Sequence, residues 1–198
     1  ASVALLEQFE PAHDRGSSHG DGRIYRLAYE QDHYVDMMQY ALPLWHELSA
    51  TAADPLLACT GGVSVAPTGS PRTAALKALY ERRGIAHELL DSAGLRERHP
   101  QYEMPTHLTA LYQPDFGVLF ASKCVTAAWS YARQLGVHTV TGYRLSSLRA
   151  DDGGLILISD KGEPVRSRSV VLAPGAWLSQ AARALLDITI PTRVSAET

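Results

Sequence analysis

The side chains able to do chemistry crowd into one stretch, Arg15-Gly16-Ser17-Ser18-His19-Gly20-Asp21-Gly22-Arg23-Ile24-Tyr25-Arg26. It reads three ways. As a polar surface loop it needs no function, because Gly, Ser and Asp favour turns through backbone freedom and local hydrogen bonds. As a nucleophile elbow, Gly16-Ser17-Ser18-His19-Gly20 satisfies G-x-S-x-G and would make Ser18 the nucleophile of a serine hydrolase. An elbow needs a strand running straight in and a helix straight out. The preceding strand ends at Glu7, with Pro11 and charged residues between. As a flavin or dinucleotide site, the N–H groups of Ser17, Ser18 and Gly20 would face an anion, while Arg23 and Arg26 offer fixed cations. An acid closing a strand of a Rossmann-type unit, as Glu7 does, typically holds a ribose hydroxyl. A full G-x-G-x-x-G is absent, since Gly20-Asp21-Gly22 follows no strand and has Tyr25 where the third glycine would fall.

A second candidate is Val170-Val171-Leu172-Ala173-Pro174-Gly175-Ala176-Trp177. An apolar strand closing on small residues lets a bulky cofactor approach the backbone, although an ordinary strand–turn–helix has the same pattern. The histidines at 13, 33, 46, 87, 99, 107 and 138 have no metal-ligand spacing to one another or to a cysteine. Ordinary surface or hydrogen-bonded roles are expected for them. Trp45 and Trp129 fall on helix faces and are expected in the core. Cys59 and Cys124, each in apolar-flanked segments, read as buried thiols in a reducing compartment.

The elements that must position these groups follow from periodicity. Apolar positions Tyr34, Met38, Ala41, Leu42, Trp45 and Leu48 predict a helix from Asp32, its N-cap, to Ala50, with Pro43 as a kink. Residues 56–66 read as a strand broken by Gly61-Gly62, either a bulge or a change of sheet. Thr73–Arg83 predicts a helix stopped by Gly84, and Asp91–His99 a shorter one ended by Pro100. Strands follow near Ala110–Gln113 and Val118–Phe120, then a helix capped by Ser122 that runs to Gln134. The last third is β-rich, with strands at Val137–Thr141, Tyr143–Arg149, Leu155–Ser159 and Val165–Arg168. A fully apolar strand, Ser169–Ala173, and a helix from Trp177 complete it. This order predicts an α/β fold in which a meander replaces one crossover helix.

Composition bounds the function. The chain has 198 residues, 45% hydrophobic and 20% charged, and 18 Lys+Arg against 21 Asp+Glu give a net charge of −3. That balance argues against a nucleic-acid partner. No apolar run approaches the ~20 residues that span a bilayer, and no signal peptide is evident, so a soluble protein is expected. Ala1–Leu6 reads as a buried parallel strand met without a preceding turn, and Ile188–Val194 as an extended segment with nothing to pair with. Both ends therefore read as cuts in a longer polypeptide.

Leu5–Tyr29 resembles the corresponding segment of the sarcosine oxidase family of FAD enzymes, within the wider D-amino-acid-oxidase-like flavoproteins. Gly16 through Arg26 match that family's G-S-[SH]-H-G-x-x-R-[IL]-[IF]-R pattern, with Tyr25 a mild departure. The similarity continues through Thr60-Gly61-Gly62-Val63, Pro114-Asp115-Phe116-Gly117-Val118-Leu119 and Ala173-Pro174-Gly175-Ala176-Trp177. The resemblance implies an incomplete Rossmann-like FAD-binding domain, residues 1–62 and 122–198, with 63–121 forming part of an α+β substrate domain.

The resemblance also implies roles. Glu7 is similar to the acid on the adenosine ribose, and Ser17, Ser18, Gly20, Gly22, Arg23 and Ile24 to the cofactor-contacting loop. Leu145 resembles a backbone contact on the adenine side, and Gly175 and Trp177 resemble a second cofactor-lining turn. His19 and Arg23 resemble the pair beside the isoalloxazine ring, where a cation stabilises negative charge on the reduced flavin. Arg26 resembles the arginine that pairs with a substrate carboxylate. The implied reaction oxidises a secondary amine or N-methyl amino acid with FAD, O₂ becoming H₂O₂, in the cytoplasm or a peroxisome. The Gly-rich phosphate loop would lie before Ala1, and the covalent-flavin cysteine and oxygen-activating lysine after Thr198. This chain alone is then expected to be inactive. A serine hydrolase using Ser18, or a non-catalytic flavoprotein remnant, is the alternative.

Overall fold

The computed structural model describes residues 2–194. The first half holds β1 (Ala4–Leu6), β2 (Arg23–Tyr25), α1 (Asp32–Ala50), β3 (Leu57–Cys59), β4 (Gly62–Pro67), α2 (Pro71–Arg83), β5 (Glu88–Leu90) and α3 (Ser92–Arg98). Next come β6 (Leu108–Gln113), β7 (Gly117–Leu119), α4 (Ala121–Gln134), β8 (His138–Val140), β9 (Leu145–Asp151), β10 (Gly154–Ser159) and β11 (Pro164–Ser167). A 3-10 turn (Gly175–Trp177) and α5 (Leu178–Leu186) follow. The fold is mixed α/β, as the element order predicts. No described helix is long and apolar enough to cross a membrane. The chain divides into two compact units, one of residues 1–20 and 128–198, the other of residues 21–127.

The unit of residues 21–127 carries two antiparallel three-stranded sheets, ordered β2-β7-β3 and β4-β6-β5. The Gly61-Gly62 break is the change of sheet that the sequence allowed: β3 pairs with β7, while β4 pairs with β6. Gly61 has φ +69, and a side chain on Gly62 would collide with Phe116, so neither position tolerates an ordinary residue. The core packs α1 and α2 together through Leu27, Val35, Leu76, Leu79, Tyr80, Ile85 and Leu111, with Met38 against its edge. A second cluster, Leu90, Leu95, Met104 and Ala110, seats α3 on β6.

Helix boundaries shift slightly from those predicted. Asp32 is the first residue of α1 and not its N-cap; Gln31 takes that place without a side-chain bond. The Asp32 carboxylate instead pairs with Arg82 and Arg83 of α2. The hydrogen bond from Arg83 holds its carboxyl below the usual carboxylate range. α2 opens on Pro71, whose missing N–H is harmless in a first turn. α3 runs from Ser92 with Asp91 as its N-cap, accepting the Gly94 N–H at 2.8 Å. α4 starts at Ala121, and the Phe120 carbonyl already accepts the Cys124 N–H at 2.8 Å. Ser122 is therefore the second residue of the helix, one position inside its start. Cys124 is buried, as predicted, but Cys59 is exposed, because β3 is a short edge strand.

In the other unit β1 and β8 form a parallel pair, and β9, β10 and β11 form an antiparallel meander. Tyr143 pins the meander from beneath, its hydroxyl donating to the Leu157 and Glu163 carbonyls at 3.1 and 2.9 Å. Two strand predictions fail here. β1 is three residues long and largely exposed, not a buried interior strand. Ser169–Ala173 forms no strand at all, and Val171 is 92% exposed. A run of β-formers becomes a strand only where a neighbour takes its N–H and C=O groups. No strand among the described residues does so for 169–173. The segment 188–194 is likewise irregular, held at Ile190 by the Ser179 hydroxyl.

Candidate functional site

Glu7 follows the carboxyl end of β1, where a parallel strand of an α/β fold delivers side chains to ligands. Its backbone continues the pairing, the Glu7 N–H donating to the Val140 carbonyl at 2.9 Å and the Tyr143 N–H to the Glu7 carbonyl at 2.9 Å. That second bond places Tyr143, two residues before Leu145 opens β9, beside the same strand end. Glu7 Oε1 accepts the Phe9 N–H at 2.9 Å, and Oε2 meets no donor among the described residues. The Phe9 ring lies between groups of different kinds. The Arg15 guanidinium is 4.6 Å from its centroid, His13 meets it edge-on at 4.8 Å, and Trp177 stands at 6.1 Å. Glu7 and Trp177 thus both neighbour Phe9. Phe9 and His13 are not site candidates in the sequence, and Arg15 figures there only as the start of the polar stretch. Their arrangement depends on Ala12, whose φ of 60 folds the loop back on itself.

The loop that follows is a succession of turns with no helix leaving it, so the geometry of a nucleophile elbow around Ser18 is missing. His19 closes it by donating from Nδ1 to the Gly16 carbonyl at 2.5 Å. A carbonyl only accepts, so the proton sits on Nδ1. Ser17, Ser18 and Gly20 are exposed, and Gly20 has φ +91 with open space where a side chain would lie. Gly175 is also exposed, with φ +56.

In the other unit, Arg23, Ile24 and Tyr25 form β2, paired with Leu119, Val118 and Gly117 of β7. Strand alternation puts Arg23 on the same side as Tyr25 and turns Ile24, 70% exposed, the opposite way. Gly22 precedes the strand because a side chain there would come within 2.8 Å of Val118 Cγ1. The Arg23 guanidinium donates to the Gly22 carbonyl at 2.7 Å. Tyr25 is fully buried and its hydroxyl donates to the Met38 carbonyl of α1 at 2.7 Å. Burial, with the charges of Asp115 and Cys59 adding to it, pushes its phenol up to about 12. Arg26 emerges exposed, its guanidinium 5.5 Å from the Tyr29 ring. It forms no ion pair with an acid among the described residues.

A family model described as FAD dependent oxidoreductase matches residues 1–196. The chain belongs to that family. Among curated relatives, the peroxisomal sarcosine oxidase of Homo sapiens is 31% identical over 183 residues, covering 92% of this chain and 46% of that protein. The N-methyl-L-tryptophan oxidase of Salmonella arizonae is 30% identical over 177 residues, covering 89% and 47%. The chain therefore spans about half the length of these relatives. Among solved structures, NikD, an amino acid oxidase, superposes with a TM-score of 0.78 at 23% identity, covering 94% of this chain and 47% of that one. Glycine oxidase from Geobacillus kaustophilus gives 0.75 at 20% identity, covering 92% and 51%. Those two likenesses speak for the fold.

The family's cofactor is FAD, and the chemistry of the residues present fits its nucleotide end. A carboxylate with one oxygen committed to the loop and one that meets no donor among the described residues suits a ribose hydroxyl, which can donate to it. Residues 17–20 themselves lie at the surface.

Proposed function

We propose that this chain serves an FAD-dependent oxidation of a secondary amine or N-methyl amino acid, with O₂ reduced to H₂O₂. Family membership and the two oxidases it matches at about a third identity support the reaction class. The observation that carries the substrate class is Arg26, an exposed cation without an acidic partner among the described residues, fixed directly after the buried anchor Tyr25. A guanidinium so placed suits the carboxylate of an amino acid, which it can grip with two parallel bonds.

Bound FAD supplies the electron acceptor. Glu7 would take the adenosine ribose, and Ser17, Ser18, Gly20, Gly22 and Ile24 would line the cofactor with Leu145, Gly175 and Trp177. His19 and Arg23 would face the reacting end, Arg23 as a fixed positive charge where negative charge develops. Residues 1–62 and 122–198 would belong to the flavin-binding domain and 63–121 to the substrate domain.

The test uses protein expressed from the reading frame that contains these residues. A visible flavin spectrum is expected, bleached anaerobically by sarcosine, N-methyl-L-tryptophan or pipecolate, with one H₂O₂ per amine when air returns. Protein that binds no flavin, or whose flavin none of these amines reduces, would overturn the proposal. Labelling of Ser18 by a fluorophosphonate would instead revive the hydrolase reading.

A further inference from the structure

We infer that His13 is a positioning residue that fixes the Glu7 carboxylate for the adenosine ribose, an inference resting on the FAD reading above. Four contacts converge on this arrangement. The Arg15 N–H donates to His13 Nδ1 at 3.1 Å, which makes that nitrogen an acceptor and leaves the ring proton on Nε2. Nε2 faces Glu7 Oε1 at 3.9 Å, too long for a hydrogen bond but close enough for the N–H dipole to attract the carboxylate. The same Oε1 accepts the Phe9 N–H at 2.9 Å, and Phe9 also meets the His13 ring edge-on. Oε1 is therefore held from both directions by its own loop, which leaves Oε2 as the oxygen without a donor among the described residues.

The backbone is shaped to bring His13 back. Ala12 adopts φ 60, a left-handed conformation that few residues other than glycine accept. Such an outlier persists where surrounding contacts hold it, and the next residue, His13, makes the contacts just described. Gly16 completes the arrangement, because a Cβ at that position would come within 3.2 Å of His13 Cε1. The imidazole thus sits between Glu7 and the first glycine of the serine-rich loop, setting the direction of the carboxylate before any ligand arrives. Preorganisation of this kind lowers the cost of ordering on binding.

The experiment compares FAD with FMN, which lacks the adenosine, by titrating flavin into the full-chain apoprotein and following fluorescence quenching. Wild type, His13→Ala, Glu7→Gln and the double variant are measured. Glu7→Gln is expected to weaken FAD about tenfold, and His13→Ala between about threefold and tenfold, with FMN affinity unchanged in both. In the double variant FAD affinity should match Glu7→Gln within about twofold, because His13 acts through Glu7. Gly16→Ala, which displaces the ring without removing it, should weaken FAD in the same selective manner. An FAD affinity insensitive to Glu7→Gln would overturn the ribose reading itself, and the role of His13 with it. Loss in Glu7→Gln but none in His13→Ala and Gly16→Ala would overturn only the role of His13. So would an equal loss of FMN, or losses that multiply in the double variant.

Discussion

Tyr25 ties the strand that carries Arg23, and the chain that continues into Arg26, to helix α1. Removing its hydroxyl in Tyr25→Phe isolates one bond, the 2.7 Å donation to the Met38 carbonyl. A neutral hydrogen bond contributes roughly 0.5–1.5 kcal/mol net. The Met38 carbonyl lies in the interior of α1 and also has the helical ladder to serve it, so it is not stranded when the phenol leaves. The expected loss is therefore near the lower end, about 0.5–1 kcal/mol, read as a fall in urea midpoint at unchanged slope. Tyr25→Ala additionally empties a fully buried ring site and should cost roughly 3–5 kcal/mol. The phenol also makes a pH prediction. Because it is pushed up to about 12, the protonated form is favoured in the folded state. Its stabilisation is intact below pH 10 and is lost as pH climbs through 12, by roughly 2–3 kcal/mol. Tyr80, buried and also pushed up to about 12, contributes a second loss in the same window. Tyr143 and Cys124, raised by burial as well, add to the alkaline loss, and Tyr25→Phe should remove the part that belongs to Tyr25. An unchanged alkaline profile, or a midpoint that does not move at neutral pH, would refute the anchoring role.

Three further outcomes are expected. Arg26→Ala should raise KM for an amino-acid substrate by the equivalent of ~2–5 kcal/mol of binding, with a smaller effect on an amine that lacks a carboxylate; steady-state kinetics on both substrates would decide it, and an unchanged KM would remove Arg26 from the substrate site. Arg23→Lys keeps the charge but loses the planar fork, so stopped-flow flavin reduction should slow while KM moves little; reduction at the wild-type rate would leave Arg23 a structural residue. Exposed Cys59 should react with a disulfide reagent within the folded state, whereas Cys124, buried and with burial raising its thiol pKa, should react only on unfolding. Equal rates for the two thiols would contradict the packing around α4.

The parts legible from sequence are those that carry their own local signal. The apolar spacing from Tyr34 to Leu48 marks α1 to within one residue, and Gly84 and Pro100 mark the ends of the next two helices within one or two positions. The paired glycines at 61 and 62 mark a change of sheet because the backbone there meets Tyr112 and Phe116 too closely for any side chain. What was illegible depends on a partner elsewhere in the chain. Ser169–Ala173 has every propensity of a strand, yet propensity cannot supply the neighbour its backbone needs. Cys59 has apolar neighbours, but its exposure follows from the edge position of β3, a property of pairing rather than of flanking residues. His13 illustrates the same point at the site. Nothing in its spacing separates it from seven other histidines until Ala12 turns the chain and sets the ring beside Glu7.

The motif glycines carry the argument one step further. Gly16, Gly20 and Gly22 look alike in the sequence, as a loop made supple for a cofactor. In the fold they have different reasons to be glycine. Gly16 makes room for the His13 ring, and Gly22 makes room for Val118 beneath the start of β2. Gly20 alone combines a positive φ with open space at the missing side chain. Packing within the protein therefore accounts for Gly16 and Gly22 without a ligand. If one glycine of the loop answers directly to the flavin, it is Gly20. Gly20→Ala should then weaken FAD and FMN together, where Gly16→Ala weakens FAD alone; an FMN affinity unmoved by Gly20→Ala would return that glycine to the turn and nothing more.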